Sequence, residues 1–306
     1  MKINPVLSHG LRSRMRGVRA MILMVIYLAI TLAIFLLVYQ ALFGQRAMEQ
    51  VYYVGYSPYG NTSNNNGLFA ALTLIQFALI AMVVPAMNAG SIAGERERQT
   101  LDLLLCSRLS AIRIIIGKLW SNVIFVAFLI ALTTPFFAVV YICGGLTLID
   151  VAKILLFFMA CAYACASIAT LFSSLFKKTA LATICTYIVL VLFVVLTLVI
   201  GSMQSAAQYE AAMMQYNPAL GISAPQMSPV LLLRMNPIMV LMESIPGMNI
   251  LDRLPFYSMN GMGMSMGMGT TTPSLWYAVV LYLGISIVCN IISAIAIKPV
   301  KKLKLR

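Results

Sequence analysis

Six long apolar stretches decide what this chain can fold into. Five have no charge in their interior, and the sixth has only Lys118 near its start, a long side chain expected to reach the membrane interface. The stretches lie at about 20–43, 68–90, 114–141, 154–176, 179–202 and 274–297. A helix needs about 20 residues to cross roughly 30 Å of hydrocarbon. With 61% hydrophobic residues and a mean hydropathy of +0.95, the chain is too apolar for a soluble fold. We predict an all-α integral membrane protein with six transmembrane helices.

The basic residues predict how the helices are oriented. Sixteen of the 21 Lys and Arg lie before the first stretch, between the second and third, between the fourth and fifth, or after the sixth, and Lys118 at the start of the third stretch adds a seventeenth on the same side. Because basic residues accumulate on the cytoplasmic side, both termini are predicted to be cytoplasmic. Topology and anionic membrane lipids then explain the net charge of +13, so no nucleic-acid partner is predicted.

Several segments lie outside the predicted spans. Residues 1–19 carry five basic residues between apolar residues at helical spacing, which predicts a cytoplasmic interfacial amphipathic helix. Residues 298–306 form a basic cytoplasmic tail, and the segments at about 44–67 and 203–273 are predicted extracytoplasmic loops. Within the longer loop, residues 230–244 are apolar but too short to span, so we expect them to pack on the outer helix ends or to be partly re-entrant.

The longer loop ends in a tract where methionines alternate largely with glycines. Its methionines are Met259, Met262, Met264, Met266 and Met268. Thioethers at this density are ligands that suit Cu(I), a soft ion. Against this interpretation, no His or Cys accompanies them, and a Gly-Met repeat is also compatible with a loop that binds no metal. Both interpretations stay open.

The sequence lacks the motifs of an enzyme. Gly117-Lys118 is preceded five residues earlier by Ile112 and followed by Leu119, so the phosphate-binding pattern G-x-x-x-x-G-K-[ST] fails. The single histidine, His9, supports neither a catalytic triad nor a multi-histidine metal site. Span centres without charges also argue against transport driven by an ion gradient. The apolar residues of the spans do not indicate which substrate is transported.

A charged segment between the second and third spans is the candidate functional site. Residues 94–100 read G-E-R-E-R-Q-T and are followed by a leucine-rich run. Helical spacing predicts that Leu101 and Leu104 lie on an apolar face while the charges face a soluble partner. The alternative is an ordinary solvated loop helix.

The same segment carries a family resemblance. Residues 91–105 read S-I-A-G-E-R-E-R-Q-T-L-D-L-L-L, and Gly117-Lys118-Leu119 follows. This resembles the ABC-2 type permeases of ABC transporters, which typically read I-x-G-E-[KR]-E-x-G-T-L-E-L-L-L before a Gly-Lys-Leu. In this chain Gln99 stands where the family usually has Gly, and Asp102 stands where it usually has Glu.

The resemblance implies a permease domain over residues 20–297 in a bacterial cell membrane. It implies a coupling helix at 91–108, seated on a separate ATP-binding subunit that holds the ATP and Mg²⁺, and a second permease copy or paralogue. The transporter would usually be an exporter. The implied contacts with the ATP-binding subunit are Gly94, Glu95, Arg96, Glu97, Arg98, Thr100, Leu101 and Leu104. The alternative to this function is a non-transporting membrane scaffold or sensor whose methionine-rich outer loop binds a ligand or Cu(I).

Overall fold

The computed structural model describes residues 17–41, 60–100, 111–142, 147–215, 231–245 and 274–297. These residues form eight helices and no strand. The helices are α1 (Val18–Tyr39), α2 (Gly60–Glu97), α3 (Ala111–Ile142), α4 (Leu148–Leu175), α5 (Thr179–Gln215), α6 (Leu231–Met235), α7 (Pro237–Glu243) and α8 (Ser274–Ile297). Six of them, α1 to α5 and α8, are long and apolar enough to cross a membrane, which confirms the six predicted spans.

Helix α4 lies at the centre of the bundle. It is the most buried of the six long helices, whereas α1 and α5 are the least buried. Its buried face is built largely from alanine, serine and cysteine, and these small side chains let α2 and α8 approach closely. Near its start the face changes to Phe157 and Phe158, both fully buried, and the second of these contacts the ring of Phe137 on α3.

Three long helices extend further than the hydrophobic pattern indicates. Helix α4 begins at Leu148 rather than near 154, because Thr147 and Asp150 form a capping box that starts it earlier. Helix α2 begins at Gly60, inside the loop predicted at 44–67, and α5 continues to Gln215, inside the loop predicted at 203–273. Once a helix is nucleated, each added residue gains a backbone hydrogen bond, so helices continue beyond their apolar stretch.

The apolar segment predicted at 230–244 forms α6 and α7, which pack against the spans. Asn236, between the two helices, is fully buried, and its Nδ2 atom donates to the main-chain oxygen of Val194 at 2.8 Å and to Oγ1 of Thr197 at 2.7 Å. The Tyr282 hydroxyl of α8 donates to the main-chain oxygen of Met235 at 2.7 Å. These bonds satisfy polar groups at the helix break, which would be costly to bury without partners.

The ends of three helices meet on one side of the bundle. Ile92 near the end of α2, Ile115 near the start of α3, and Ala294 and Ile297 at the end of α8 form one buried cluster. We call this side the motif end, because α2 carries the charged segment there. Most of the predicted N-terminal helix, the methionine-rich tract, the basic tail and residues 101–108 lie outside the described residues.

Candidate functional site

Helix α2 ends in a tight turn within the charged segment. The N–H of Thr100 donates to the main-chain oxygen of Glu95 at 2.9 Å, and that of Gln99 donates to the oxygen of Arg96 at 3.1 Å. Gln99 has a φ of 58°, in the left-handed region. Two such bonds around a left-handed residue form a Schellman motif, which stops a helix and satisfies its last carbonyl groups.

This turn corrects one prediction. A single helix across 91–108 is wrong, because the helix that includes residues 91–97 is the continuation of the second span and ends at Glu97. Residues 98–100 form a turn in place of a further helical turn. The predicted contacts Leu101 and Leu104 lie outside the described residues.

Glu95 pairs with the start of α3. Lys118 Nζ lies 3.0 Å from Oε1 of Glu95 and donates to the main-chain oxygen of Ser91 at 2.7 Å. The Thr100 hydroxyl donates to the other carboxylate oxygen, Oε2. The two charged side chains are only 20% and 32% exposed, for Lys118 and Glu95 respectively, so this ion pair is partly shielded from solvent. The lysine side chain, expected to reach the interface alone, therefore ends on a carboxylate.

Arg96 binds the end of α4. Its Nη1 donates to the main-chain oxygen of Phe176 at 3.3 Å, and its Nη2 donates to that of Ser174 at 3.2 Å. The last carbonyls of a helix have no partner within the helix and carry its negative dipole end. A guanidinium is suited to this position by charge and by its fork of N–H donors.

Glu97 binds the beginning of α5. Its Oε1 accepts a hydrogen bond from the main-chain N–H of Thr179 at 2.8 Å, and its carboxylate also accepts from the hydroxyl of the same residue. The first N–H groups of a helix are unpaired and carry its positive dipole end, so a carboxylate is favourable there. Glu97 supplies that carboxylate from a different helix.

The last turns of α2 also contact α4 through their backbone. Ser173 of α4 is fully buried, and its Oγ accepts from the main-chain N–H groups of Ile92 and Ala93, each at 2.9 Å. One turn earlier, Asn122 of α3 donates to Oδ1 of Asn88 at 2.6 Å. Polar contacts therefore connect α2 to α3 and α4 before its charged end, in addition to the contacts made by the charged end itself.

Small residues allow this close approach. Ala89 and Ala93 of α2 and Ala182 of α5 form a buried cluster. A Cβ placed on Gly94 would lie 3.6 Å from Cγ2 of Thr179, an ordinary contact distance, so α2 and α5 already lie side by side there. The Gly94 of the motif thus belongs to the α2–α5 contact.

The predicted site residues divide by exposure. Gly94, Glu95, Arg96 and Thr100 are partly buried, whereas Glu97 and Arg98 are exposed. The turn between α4 and α5 adds the exposed Lys177 and Lys178 to the same end. Six of the eight predicted contacts thus lie within two turns at the motif end.

Sequence reasoning did not identify the intramolecular partners of the motif. These partners are Lys118, Ser173, Ser174, Phe176 and Thr179. One signal was available: a lysine near the start of an apolar span favours a nearby carboxylate, and the chain has only eight acidic residues. The methionines of the predicted Cu(I) site lie outside the described residues, so that site stays a prediction.

Comparison with known proteins identifies the family. The profile of the ABC-2 family transporter proteins matches residues 5–289, a region that contains the first five spans and most of the sixth. No curated protein matches the chain. A family match over most of the chain, together with six apolar helices, shows that this membrane permease belongs to the ABC-2 family of transporter proteins.

Proposed function

We propose that the chain is the permease subunit of a bacterial ABC exporter and that a separate subunit binds and hydrolyses ATP with Mg²⁺. The observation that best supports coupling is the motif end, where charged side chains of α2 bond to α3, α4 and α5. A force applied to this point would reach four spans at once. The family match supports the transport role itself.

The proposed contact with the ATP-binding subunit is the segment that begins at Gly94. It comprises Gly94, Glu95, Arg96, Glu97, Arg98, Thr100, Leu101 and Leu104. Among its described members Arg98 is exposed at the helix end, where a guanidinium can pair with a carboxylate of a soluble partner. The described members of the segment lie in the last turn of α2 and in the left-handed turn at Gln99 that ends this helix.

The proposed orientation places the motif end in the cytoplasm together with both termini. Arg98, Lys177 and Lys178 are exposed on this end, which suits the side where basic residues accumulate. The proposed location is the bacterial cell membrane. The low burial of α1 and α5 leaves apolar surface for lipid and for a second permease copy or paralogue.

Co-purification tests this proposal. The tagged chain is isolated from its own bacterial cells in mild detergent, and ATP hydrolysis and subunit content are measured. We expect an ATP-binding subunit to co-purify and Arg98→Ala to reduce its yield about fivefold or more, the effect of truncating an energetically important interface side chain. Lys153→Ala is the matched control, because Lys153 is an exposed basic residue near the start of α4, at the opposite end of the bundle.

Two results would contradict the proposal. One is full retention of the ATP-binding subunit by Arg98→Ala together with loss by Lys153→Ala. The other is labelling of a cysteine at position 98 by a membrane-impermeant reagent added to intact cells.

A further inference from the structure

We propose that Glu95, Arg96 and Glu97 are positioning residues, which fasten α3, α4 and α5 to the end of α2 so that these helices move together. This inference rests on the proposed function. It assigns these three side chains to contacts within the permease and leaves contact with the ATP-binding subunit chiefly to Arg98 and the residues after it.

The directions of the three side chains come from helix geometry. Consecutive residues of an α-helix point about 100° apart, so three in a row cover more than half of its circumference. Glu95 reaches α3, Arg96 reaches the end of α4, and Glu97 reaches the start of α5. The three residues thereby contact three different neighbours within less than one turn.

The charge of each residue suits the helix end that it contacts. Arg96 donates to carbonyl groups at the negative end of α4, whereas Glu97 accepts from an N–H at the positive end of α5. Exchanging the two residues would place a carboxylate against carbonyls and a guanidinium against N–H groups. The order of charges is therefore fixed by the helices that surround α2.

Backbone contacts make the connection stiff. Lys118 donates hydrogen bonds to the side chain of Glu95 and to the main-chain oxygen of Ser91. The hydroxyl oxygen of Ser173 accepts hydrogen bonds from two main-chain N–H groups of α2. A displacement of the end of α2 must break these bonds or carry α3 and α4 with it. Helices tied in this way behave as one rigid element, the kind of element that carries coupling between distant sites.

The decisive variant is Lys118→Met. Lys118 lies outside the proposed docking segment, and methionine keeps an unbranched side chain of nearly the same length while removing the charge and the hydrogen bonds. The complex co-purified with its ATP-binding subunit is labelled with nitroxides at Ile142 of α3 and Met203 of α5, both exposed. The nitroxides are attached through unnatural amino acids, which leaves the native cysteines in place. Electron–electron distance measurements then compare the complex without nucleotide and with ATP and vanadate.

We expect the wild-type complex to change its distance distribution on addition of ATP and vanadate. In Lys118→Met the nucleotide-dependent population should fall by about fivefold or more, the lower end of typical coupling between sites. The amount of co-purified ATP-binding subunit should remain unchanged. The double variant Glu95→Lys with Lys118→Glu restores an ion pair and should recover part of the response, which a general loss of packing would not allow.

The outcomes separate the two proposals. If no ATP-binding subunit co-purifies with the wild-type chain, the proposed function is wrong. If the subunit is present and Lys118→Met responds to nucleotide like the wild type, the positioning role is wrong while the proposed function stands. Loss of the subunit in Lys118→Met would also overturn the positioning role, because it would place Lys118 in the docking surface. Lys118→Gln gives the same comparison if the methionine variant is not inserted into the membrane.

Discussion

Replacing Gln99 with glycine should stabilise the end of α2. Gln99 has a φ of 58°, a conformation that costs an L-residue roughly 1–2 kcal/mol and costs glycine almost nothing. Glycine loses about 0.5–1 kcal/mol more conformational entropy on ordering, so the net gain is about 0.5–1 kcal/mol. The turn also accounts for the glycine that the resembling permeases usually carry here.

Amide hydrogen exchange in lipid nanodiscs measures this gain. The exchanging groups are the N–H groups of Gln99 and Thr100, which form the two bonds of the Schellman motif. A gain of about 0.5–1 kcal/mol lowers local opening about two- to fivefold, so the peptide covering these residues should exchange about two- to fivefold more slowly in Gln99→Gly.

Gln99→Ala is the control for this experiment. It also removes the glutamine side chain but keeps a Cβ, so we expect exchange close to that of the wild type. Equal protection in the glycine and alanine variants would refute the reasoning, because it would mean that the left-handed backbone carries no strain.

Three further predictions concern contacts away from the charged segment. Gly201→Ala should weaken docking of α6 by about 1–3 kcal/mol, because the added Cβ would lie 2.7 Å from the Leu233 side chain. This weakening is measured as faster amide hydrogen exchange of residues 231–245. The control Gly284→Ala, where the added Cβ meets open space, should leave that exchange unchanged. Asn236→Leu should destabilise the protein by about 1–3 kcal/mol in thermal unfolding, since it removes two hydrogen bonds to α5. A destabilisation below a few tenths of a kcal/mol would mean that these hydrogen bonds do not hold the segment in place. A double-mutant cycle with Asn88→Leu and Asn122→Leu should give a coupling of about 0.6–2 kcal/mol in unfolding measurements, whereas additive effects would mean that their hydrogen bond contributes nothing.

The transmembrane part of the fold could be predicted because one property fixes it. A span must be apolar over its whole length, and this requirement is visible in the sequence without knowledge of neighbours. The predicted ends were less accurate, since α2, α4 and α5 continue beyond their apolar stretches. The start of α4 could have been found from Thr147 and Asp150, which have capping-box spacing, as the structure shows.

The internal role of the charged segment could not be predicted in the same way. Helical spacing shows which residues share a face, but it does not show which other helix lies opposite that face. The partner of Arg96 is a pair of main-chain oxygens, and every residue of the chain has such an oxygen. The bond between Glu97 and the N–H of Thr179 likewise has no signature in residue identity.

The distribution of charge bears on the proposed coupling. Two ion pairs between described residues lie near opposite helix ends, Glu95 with Lys118 at the motif end and Asp150 with Lys153 at the start of α4. Between them the spans offer neutral contacts, such as the Asn88–Asn122 bond and the small-residue face of α4. For the coupling proposed above, these neutral contacts favour displacement of whole helices over a relay of charged side chains. Closely packed helices with many small residues transmit displacement because their interfaces deform little.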